Sequence, residues 1–486
     1  MKKLAKIKAM LMCFIILVLA LPLTVFASAG VNYEAEAHIL NVLRQARIPN
    51  AAVAVIQDGE TSYILKDSEY DTLFQIASLS KSFTGFGVLL LEDMGLLSVS
   101  DPVNWHLPWF EVRYNGVLVP HEDITIYNLL HNTSGITSNE RLFPRATLTE
   151  TTDEFIARLI GLDLVFYPSM RYTYGNKNFV ILGLLIEAVS GQSYDEFITG
   201  QVLVPLGLYN TFTNVQRAHD TGRTVNGHVR GFLQIRPGIR GLDSHITSIP
   251  TGGLYSSVVD MARWAGIQLG IVEVPEQFAK IVQRSHKHHG SDAPFESKSF
   301  FYAAGWVVDF ENGHIEHSGQ STPGYSATIR MFPESTTAVV VLSNLRYISI
   351  EQLGEVVLAA AEGSFNRRRI DFHEIVDTAF VIYTVVGIVY AFMLIRLAAK
   401  LSKRLRSGER VKFNLTSVTV KGLIDPISSV VGIIAFYVVF PAVANTTIEM
   451  IMRNWPLSFI TAVIALWVGV LYSLFSWWVK VFVSHE

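Results

Sequence analysis

Two residues of this chain, three positions apart, could act together as a nucleophile and its proton acceptor. Ser78 and Lys81 form an S-x-x-K pattern in the segment Phe74-Gln-Ile-Ala-Ser78-Leu-Ser-Lys81. Residues three apart on a helix share a face, so the lysine amine could reach the serine hydroxyl. The pattern also occurs as a helix cap with a surface lysine, but the apolar setting predicts a buried Lys81. The pair is therefore a candidate nucleophile with its proton acceptor.

A tyrosine and an asparagine form a second candidate cluster. Tyr174 and Asn176 lie directly before an apolar pattern over 180–189, which predicts a helix that stops at Gly191. A phenol has an ordinary pKa of about 10, so Tyr174 could act as a base only if a cation such as Lys81 stabilised its phenolate. A packing role for this tyrosine is the alternative.

The third cluster is the segment His317-Ser318-Gly319-Gln320. It ends one strand pattern and precedes Pro323-Gly324-Tyr325, which opens the next. His288-His289-Gly290 has the same H-x-G spacing, but it lies in a polar stretch over 285–291 without a strand pattern. We interpret that stretch as a solvated loop, with weak metal binding as the less favoured alternative.

The secondary-structure elements that must position these clusters are predicted near both ends of the domain. A helix pattern over 34–47 precedes strand patterns over 51–56 and 62–65. Strand patterns return over 304–310, 325–332 and 337–342, before a helix pattern over 350–361. Mostly helical and loop sequence lies between these two groups. We therefore predict an α+β domain with one antiparallel sheet from both termini and a helical lobe against it.

In this order, the three clusters resemble those of the serine β-lactamase and penicillin-binding protein superfamily, in the branch of class C β-lactamases and D-alanyl-D-alanine carboxypeptidases. The resemblance covers about residues 33–362 and includes two further segments, 124–136 and 250–264. It implies a β-lactamase/transpeptidase-like fold. The chain departs from the family's K-T-G form at His317, which is only partly charged at neutral pH and would hold a substrate carboxylate less firmly. That departure weakens the β-lactamase interpretation.

The resemblance also implies a mechanism. Ser78 would attack a carbonyl to form an acyl-enzyme, Lys81 and Tyr174 would share the proton transfers, and water would release the acyl group. The backbone N–H groups of Ser78 and Gln320 would form the oxyanion hole. The implied substrate-binding residues are Asn176, His317, Ser318 and Gly319.

Composition excludes several other functions. The 39 basic and 42 acidic residues give a formal charge of −3, which is too small to gather nucleic acid. Cys13 is the only cysteine, so neither a disulfide framework nor a Cys-based zinc site is expected. The sequence contains no H-E-x-x-H, no phosphate-binding glycine loop and no G-x-S-x-G elbow. We expect no metal and no cofactor.

The N-terminus predicts export. Residues 1–29 contain four lysines, then an apolar run over 9–26, then Ala27-Ser28-Ala29, which is the pattern of a secretory signal. We expect cleavage after Ala29, and a retained N-terminal anchor is the alternative. Residues 30–370 would then form an extracytoplasmic hydrolase domain.

The last quarter of the chain predicts three membrane helices, at 376–397, 426–448 and 454–480. Eight basic residues lie from Arg396 to Lys421, in and beside the loop 398–425, and the positive-inside rule places that loop in the cytoplasm. The arginines at 367–369 oppose this orientation but are outnumbered. We expect a multi-pass protein of the cell membrane with a cytoplasmic C-terminus.

The predicted function is a membrane-anchored serine hydrolase that acts on a peptide, amide or ester, with D-amino-acid-containing substrates favoured. Its architecture and general motifs also resemble those of membrane-bound D-amino peptidases that activate prodrugs. A β-lactamase or esterase is the alternative within the family, and a penicillin-binding sensor or binding module without turnover is the alternative of another class. The expected partners are a small-molecule or peptide substrate and the lipid bilayer. The sequence leaves the oligomeric state open.

Overall fold

The computed structural model describes residues 31–137, 151–238, 248–287, 299–321, 323–346, 349–365, 372–407 and 458–482. The strands in these ranges are β1 (Ala51–Gln57), β2 (Glu60–Lys66), β3 (Phe74–Gln75), β4 (Val112–Tyr114), β5 (Val117–Leu118), β6 (Leu162–Leu164), β7 (His228–Gly231), β8 (Gln234–Pro237), β9 (Tyr255–Ser256), β10 (Phe300–Ala303), β11 (Trp306–Asp309), β12 (His314–Ser321), β13 (Tyr325–Phe332), β14 (Thr337–Ser343) and β15 (Leu345–Arg346). The α-helices are α1 (Tyr33–Gln45), α2 (Ser80–Asp93), α3 (Val103–His106), α4 (Ile126–Leu130), α5 (Thr152–Leu159), α6 (Asn176–Ser190), α7 (Tyr194–Phe197), α8 (Val215–Asp220), α9 (Val258–Gln268), α10 (Glu276–Ser285), α11 (Ile350–Ala361), α12 (Phe372–Arg406) and α13 (Ser458–Phe482). Short 3₁₀ or π turns lie at Ala77–Leu79, His121–Asp123, Ile198–Leu203 and Ile249–Gly253.

Seven strands form an antiparallel sheet in the order β10-β11-β12-β13-β14-β1-β2. The N-terminal strand β1 pairs with β2 on one side and with the C-terminal strand β14 on the other. The chain therefore closes its sheet only after the whole domain has been made. The prediction of one antiparallel sheet built from both ends of the domain is confirmed.

Both faces of this sheet are covered, which explains the nearly continuous apolar sequence of β1. Ala52 and Ala54 pack with the large core that includes α2, α6 and α9. Val53 and Val55 point the other way, into a second core with α1 and α11. Side chains alternate between the faces of a strand, so β1 serves two cores at once. Each fully buried valine contributes about 1.5–3 kcal/mol relative to an exposed one.

The predicted strand over 304–310 is wrong at its N-terminal end. Ala304 and Gly305 have φ values of 44° and 98°, so they form a tight turn between β10 and β11. A two-residue hairpin turn with positive φ at both positions usually carries Asn-Gly or Asp-Gly, and the pair Ala-Gly lacks that signal. The strand β10 was missed for the same reason.

The turn between β10 and β11 presses against the helix that carries Lys81. A Cβ at Gly85 would lie 2.1 Å from the carbonyl oxygen of Ala304, and a Cβ at Gly305 would lie 2.5 Å from the backbone of Lys81. The backbones of sheet and helix therefore touch without side chains between them. Helix α2 is buried over the whole of 80–91, so its position relative to the sheet is set by packing on every side.

Two long helices follow the domain, and both are apolar and long enough to cross a membrane, over Thr384–Arg404 and Thr461–Val479. Many of their large apolar side chains are exposed, unlike those of a core helix. The hydroxyl oxygens of Thr384 and Thr461 are 2.8 Å apart. A Cβ at Gly387 would overlap Ala465. Residue numbers increase in the same direction along both helices, from the pair Thr384 and Thr461 to the pair Gly387 and Ala465. The helices α12 and α13 are therefore parallel.

These helices overlap the first and third predicted spans, 376–397 and 454–480. The span predicted at 426–448, the signal at 1–29 and the loop from residue 408 onward lie outside the described residues.

We predict that Gly85→Ala destabilises the protein by about 1–3 kcal/mol, because its methyl group would overlap the carbonyl of Ala304 and force the hairpin away from α2. Gly200→Ala is the matched control, since Gly200 has open space around its Cβ position. Urea unfolding of the full-length protein in detergent measures both variants. Equal stability of the two would contradict the close contact.

Candidate active site

Ser78 lies in the Ala77–Leu79 turn that joins β3 to α2, rather than in the first turn of the helix itself. Its neighbours Ala77 and Leu79 are buried, whereas Ser78 is partly exposed. Ala77 has a φ of 49°, a strained value for a residue with a side chain. Ser80 holds the turn, because its hydroxyl donates to the Ala77 carbonyl at 2.7 Å. The turn therefore presents one hydroxyl to solvent from a rigid buried support.

Lys81 is fully buried, as its apolar setting predicted. Its amine lies 3.1 Å from Ser78 Oγ and donates to the carbonyl oxygen of Thr251 at 2.6 Å. Thr251 belongs to the Ile249–Gly253 turn, which thus fixes the amine beside the serine. A buried lysine so placed can serve as a proton acceptor when it is neutral.

Tyr174 approaches the same oxygen from another side. Its hydroxyl donates to Ser78 Oγ at 3.0 Å, and Lys81 Nζ lies 5.0 Å from the centre of its ring. Burial raises the pKa of Tyr174 well above its ordinary value, and the hydrogen bond to Ser78 offsets only part of that rise. The phenolate considered in the sequence analysis is therefore disfavoured. The geometry suits a neutral phenol that relays a proton.

Asn176 begins α6, and its side chain is oriented by the turn that also holds Lys81. The hydroxyl of Thr251 donates to Asn176 Oδ1 at 3.1 Å. One residue, Thr251, therefore holds Lys81 through its backbone and Asn176 through its side chain. This common support fixes the position of the Asn176 amide relative to the Lys81 amine.

Strand β12 lies directly against the serine. A Cβ at Gly319 would lie 2.4 Å from the backbone nitrogen of Ser78, so no other residue fits there. This approach puts the β12 backbone, with Gln320 next in the chain, beside the Ser78 amide. Such an arrangement suits an oxyanion hole made from the N–H groups of Ser78 and Gln320.

His317 is buried and hydrogen-bonded through both ring nitrogens. Nδ1 lies 2.8 Å from the carbonyl oxygen of Ser318, so Nδ1 carries the proton, and the hydroxyl of Tyr302 donates to Nε2 at 3.0 Å. Burial, together with the charge of Lys81, lowers the pKa of His317 to about 3. The expectation of a partly charged histidine is therefore wrong: its partners and its burial keep it neutral.

The structure brings six of the eight predicted site residues to one place, the junction of the sheet and the helical lobe: Ser78, Lys81, Tyr174, Asn176, His317 and Gly319. Gln320 follows Gly319 in β12, and the hydroxyl of Ser318 lies 2.8 Å from that of Thr328, on the other face of the strand. Two residues that the sequence analysis missed also belong there, Thr251 and Tyr302. Thr251 holds Lys81 through its carbonyl group, which every residue possesses and no motif can reveal. Tyr302 lies on β10, the strand that was missed, and its ring packs edge-on against Tyr174 at 5.8 Å.

Among the described residues, no group of three or more His, Cys, Asp or Glu side chains could hold a metal ion. The segment His288-His289-Gly290 lies outside the described residues.

Comparison with known proteins gives consistent results. The family model described as Beta-lactamase matches residues 35–361. Protein flp of Staphylococcus aureus (strain COL) is 30% identical over 329 residues, which cover 64% of this chain and 63% of that protein. Penicillin-binding protein 4* of Bacillus subtilis (strain 168) is 34% identical over 320 residues, which cover 60% of this chain and 64% of that protein. The chain thus spans less than two thirds of the length of these curated relatives.

Solved structures resemble the domain in fold. A class C beta-lactamase matches with a TM-score of 0.58 at 19% identity, over 69% of this chain and 96% of that one. A class C beta-lactamase in complex with cefoxitin matches with a TM-score of 0.57 at 19% identity, over 68% of this chain and 98% of that one. At this identity the likeness shows the fold alone.

The neutral His317 predicts a specific loss of stability in acid. Its pKa is about 3 in the folded protein, against an ordinary value of 6.5. The folded state therefore binds fewer protons, and this stabilisation is complete above pH 6.5 and is lost as the pH falls towards 3. Between pH 7.5 and pH 5, His317→Gln should lose about 2 kcal/mol less stability than the unmodified protein.

Urea unfolding at the two pH values measures this difference. His219→Gln, at an exposed histidine, controls for the removal of a histidine elsewhere. The same pH dependence in His317→Gln and in the unmodified protein would contradict a histidine that stays neutral.

Proposed function

This chain belongs to the beta-lactamase family of serine hydrolases, and from that premise we propose that it hydrolyses a peptide, amide or ester through an acyl-enzyme on Ser78. One observation carries the proposal: Ser78 Oγ lies 3.1 Å from the Lys81 amine and 3.0 Å from the Tyr174 hydroxyl. A hydroxyl with two proton-transfer groups in reach is the arrangement that nucleophilic catalysis requires.

The proposed reaction follows from these contacts. Ser78 Oγ attacks the carbonyl carbon while its proton passes to the neutral amine of Lys81. The neutral Tyr174 gives its proton to the leaving nitrogen or oxygen. It then takes up the proton that the Lys81 amine received from Ser78. The Ser78 and Gln320 amides hold the oxyanion. Water then attacks the acyl carbon, and the same two groups return a proton to Ser78.

We propose a D-amino-acid-containing peptide as the natural substrate, with an activated prodrug as one case. The neutral His317 supports a peptidase or esterase over a β-lactamase, because it offers no positive charge to a substrate carboxylate. One relative is by its name a penicillin-binding protein, which supports a second candidate, a domain that penicillin acylates without turnover.

The first test concerns the nucleophile. Ser78→Ala should abolish hydrolysis and labelling by a fluorophosphonate or a fluorescent penicillin while the unfolding temperature stays nearly unchanged, since one hydroxyl contributes little buried surface. Ser100→Ala, at an exposed serine of the same domain, is the control and should label normally. Full labelling of Ser78→Ala would exclude this nucleophile. The rate at which label is lost separates a hydrolase from a sensor.

We also propose that the chain is a multi-pass membrane protein with its domain outside. Helices α12 and α13 lie side by side and run in the same direction, as shown by the contact of Thr384 with Thr461. Two parallel spans require an odd number of crossings between them, and 426–448 is the apolar run long enough for one. With three crossings after the domain, the domain and the C-terminus lie on opposite sides of the membrane, and the signal pattern at 1–29 supports an exported domain.

The orientation is tested by protease protection. In cells stripped of any outer wall, added protease should digest residues 30–370 and leave a tag at Glu486 intact, because the basic loop 398–425 holds the cytoplasmic side. The same tag after detergent lysis is the control and should be digested. Digestion of the tag in intact cells would mean an even number of crossings after the domain.

A further inference from the structure

The turn Ile249–Gly253 is fixed to helix α2 by two hydrogen bonds to its backbone. The Lys81 amine donates to the carbonyl oxygen of Thr251 at 2.6 Å. The Thr84 hydroxyl, one helical turn further on, donates to the carbonyl oxygen of Pro250, also at 2.6 Å. Because two consecutive carbonyl groups are held in this way, the backbone of Thr251 has a fixed position relative to α2.

The same turn packs against α6, the helix that begins with Asn176. A Cβ at Gly183 would lie 2.3 Å from the Pro250 ring, so the helix and the turn are in direct contact. At the start of α6, the Thr251 hydroxyl donates to Asn176 Oδ1 at 3.1 Å. This hydrogen bond therefore joins two side chains whose supporting elements are packed together.

The contacts of the turn place this hydrogen bond beside the Ser78 hydroxyl. The Lys81 amine that binds the Thr251 carbonyl lies 3.1 Å from Ser78 Oγ. A Cβ at Gly252, the next residue of the turn, would lie 3.9 Å from the Ser78 nitrogen. Ser78, Thr251 and Asn176 are all partly exposed. The Asn176 amide is therefore open to solvent in the neighbourhood of the proposed nucleophile.

The hydrogen bond from Thr251 determines how the Asn176 amide is turned. An asparagine accepts hydrogen bonds through Oδ1 and donates two through Nδ2. With Oδ1 directed at the Thr251 hydroxyl, Nδ2 is directed away from the turn. Within the part of the chain that the structure describes, no protein group accepts a hydrogen bond from Nδ2. Thr251 thus leaves the donor end of the amide available to a ligand.

We propose that Thr251 is a positioning residue: its hydroxyl fixes the Asn176 amide so that the site prefers a substrate with a hydrogen-bond acceptor near the reacting carbonyl group. This inference rests on the proposed function and deepens it. A hydrogen bond between neutral groups favours binding by about three- to tenfold, and an amide that is free to turn over gives up part of that gain.

Three phenyl esters test the preference for an acceptor. The first is the ester of phenylacetylglycine, which carries an amide. The second has a methylene in place of the amide nitrogen and keeps the carbonyl group, and the third has two methylenes in place of the amide. The full-length protein in detergent should release phenol from the first two with kcat/KM about three- to tenfold above the third. Division by each ester's rate with hydroxide removes differences in intrinsic reactivity, and Ser78→Ala gives the uncatalysed background.

Variants identify the residue responsible. Thr251→Val removes the hydroxyl but keeps the backbone carbonyl that holds Lys81, so the ratio between the carbonyl-containing esters and the third should fall towards one, mainly through KM. Thr251→Ser keeps a hydroxyl and should restore the ratio. Thr61→Val, at an exposed threonine of β2, is the matched control and should leave the ratio unchanged. Thr251→Ala replaces the valine variant if that variant does not fold.

A double variant tests whether Thr251 acts through Asn176. Asn176→Ala removes the amide and should lower the ratio by itself. Adding Thr251→Val should then lower it no further, because residues that act through one group are not additive. A further fall in the double variant would mean that Thr251 acts on the substrate by another route, and it would overturn the inference.

The remaining outcomes separate this inference from the proposed function. An equal response to the three esters, an unchanged ratio in Thr251→Val, or the same loss for all three esters overturns the role of Thr251. No release of phenol by a protein that a fluorophosphonate labels at Ser78 also overturns it, but leaves the nucleophile standing. A protein that does not label at Ser78 loses both claims.

Discussion

The site depends on direct contact between the backbone of the sheet and the backbone of the helical lobe. At Gly319, β12 lies so close to the Ser78 nitrogen that a single methyl group would not fit, and at Gly85 the β10–β11 turn lies equally close to α2. Backbone groups in contact cannot adjust as long side chains do, and close-packed interiors transmit displacement. The distance between the Ser78 backbone and the β12 backbone is therefore set by the two layers themselves.

Around this contact, burial favours the uncharged forms of the Tyr174 phenol and the His317 imidazole. It raises the pKa of Tyr174 and lowers that of His317. An environment that penalises charge holds the proton on the phenol and keeps a second proton off the imidazole.

The sequence predicted the sheet from both ends of the domain and the proximity of Ser78 to Lys81, because both depend on side-chain types and their spacing. Val53 and Val55 mark a buried strand, and the S-x-x-K spacing brings the Lys81 amine to 3.1 Å from Ser78 Oγ. It missed what depends on the backbone or on packing between distant segments. The carbonyl of Thr251, the turn at Ala304-Gly305 and the neutral state of His317 all arise from tertiary contact. None of them has a local pattern.

The parallel packing of α12 and α13 has a consequence for the order of synthesis. Thr384 and its partner Thr461 are separated by 77 positions in the chain. At about 5–20 residues per second, a ribosome needs several seconds to about a quarter of a minute to cover that interval. During this time α12 has no partner helix, while the whole preceding domain has already been synthesised. The domain can therefore finish folding before the two helices pair.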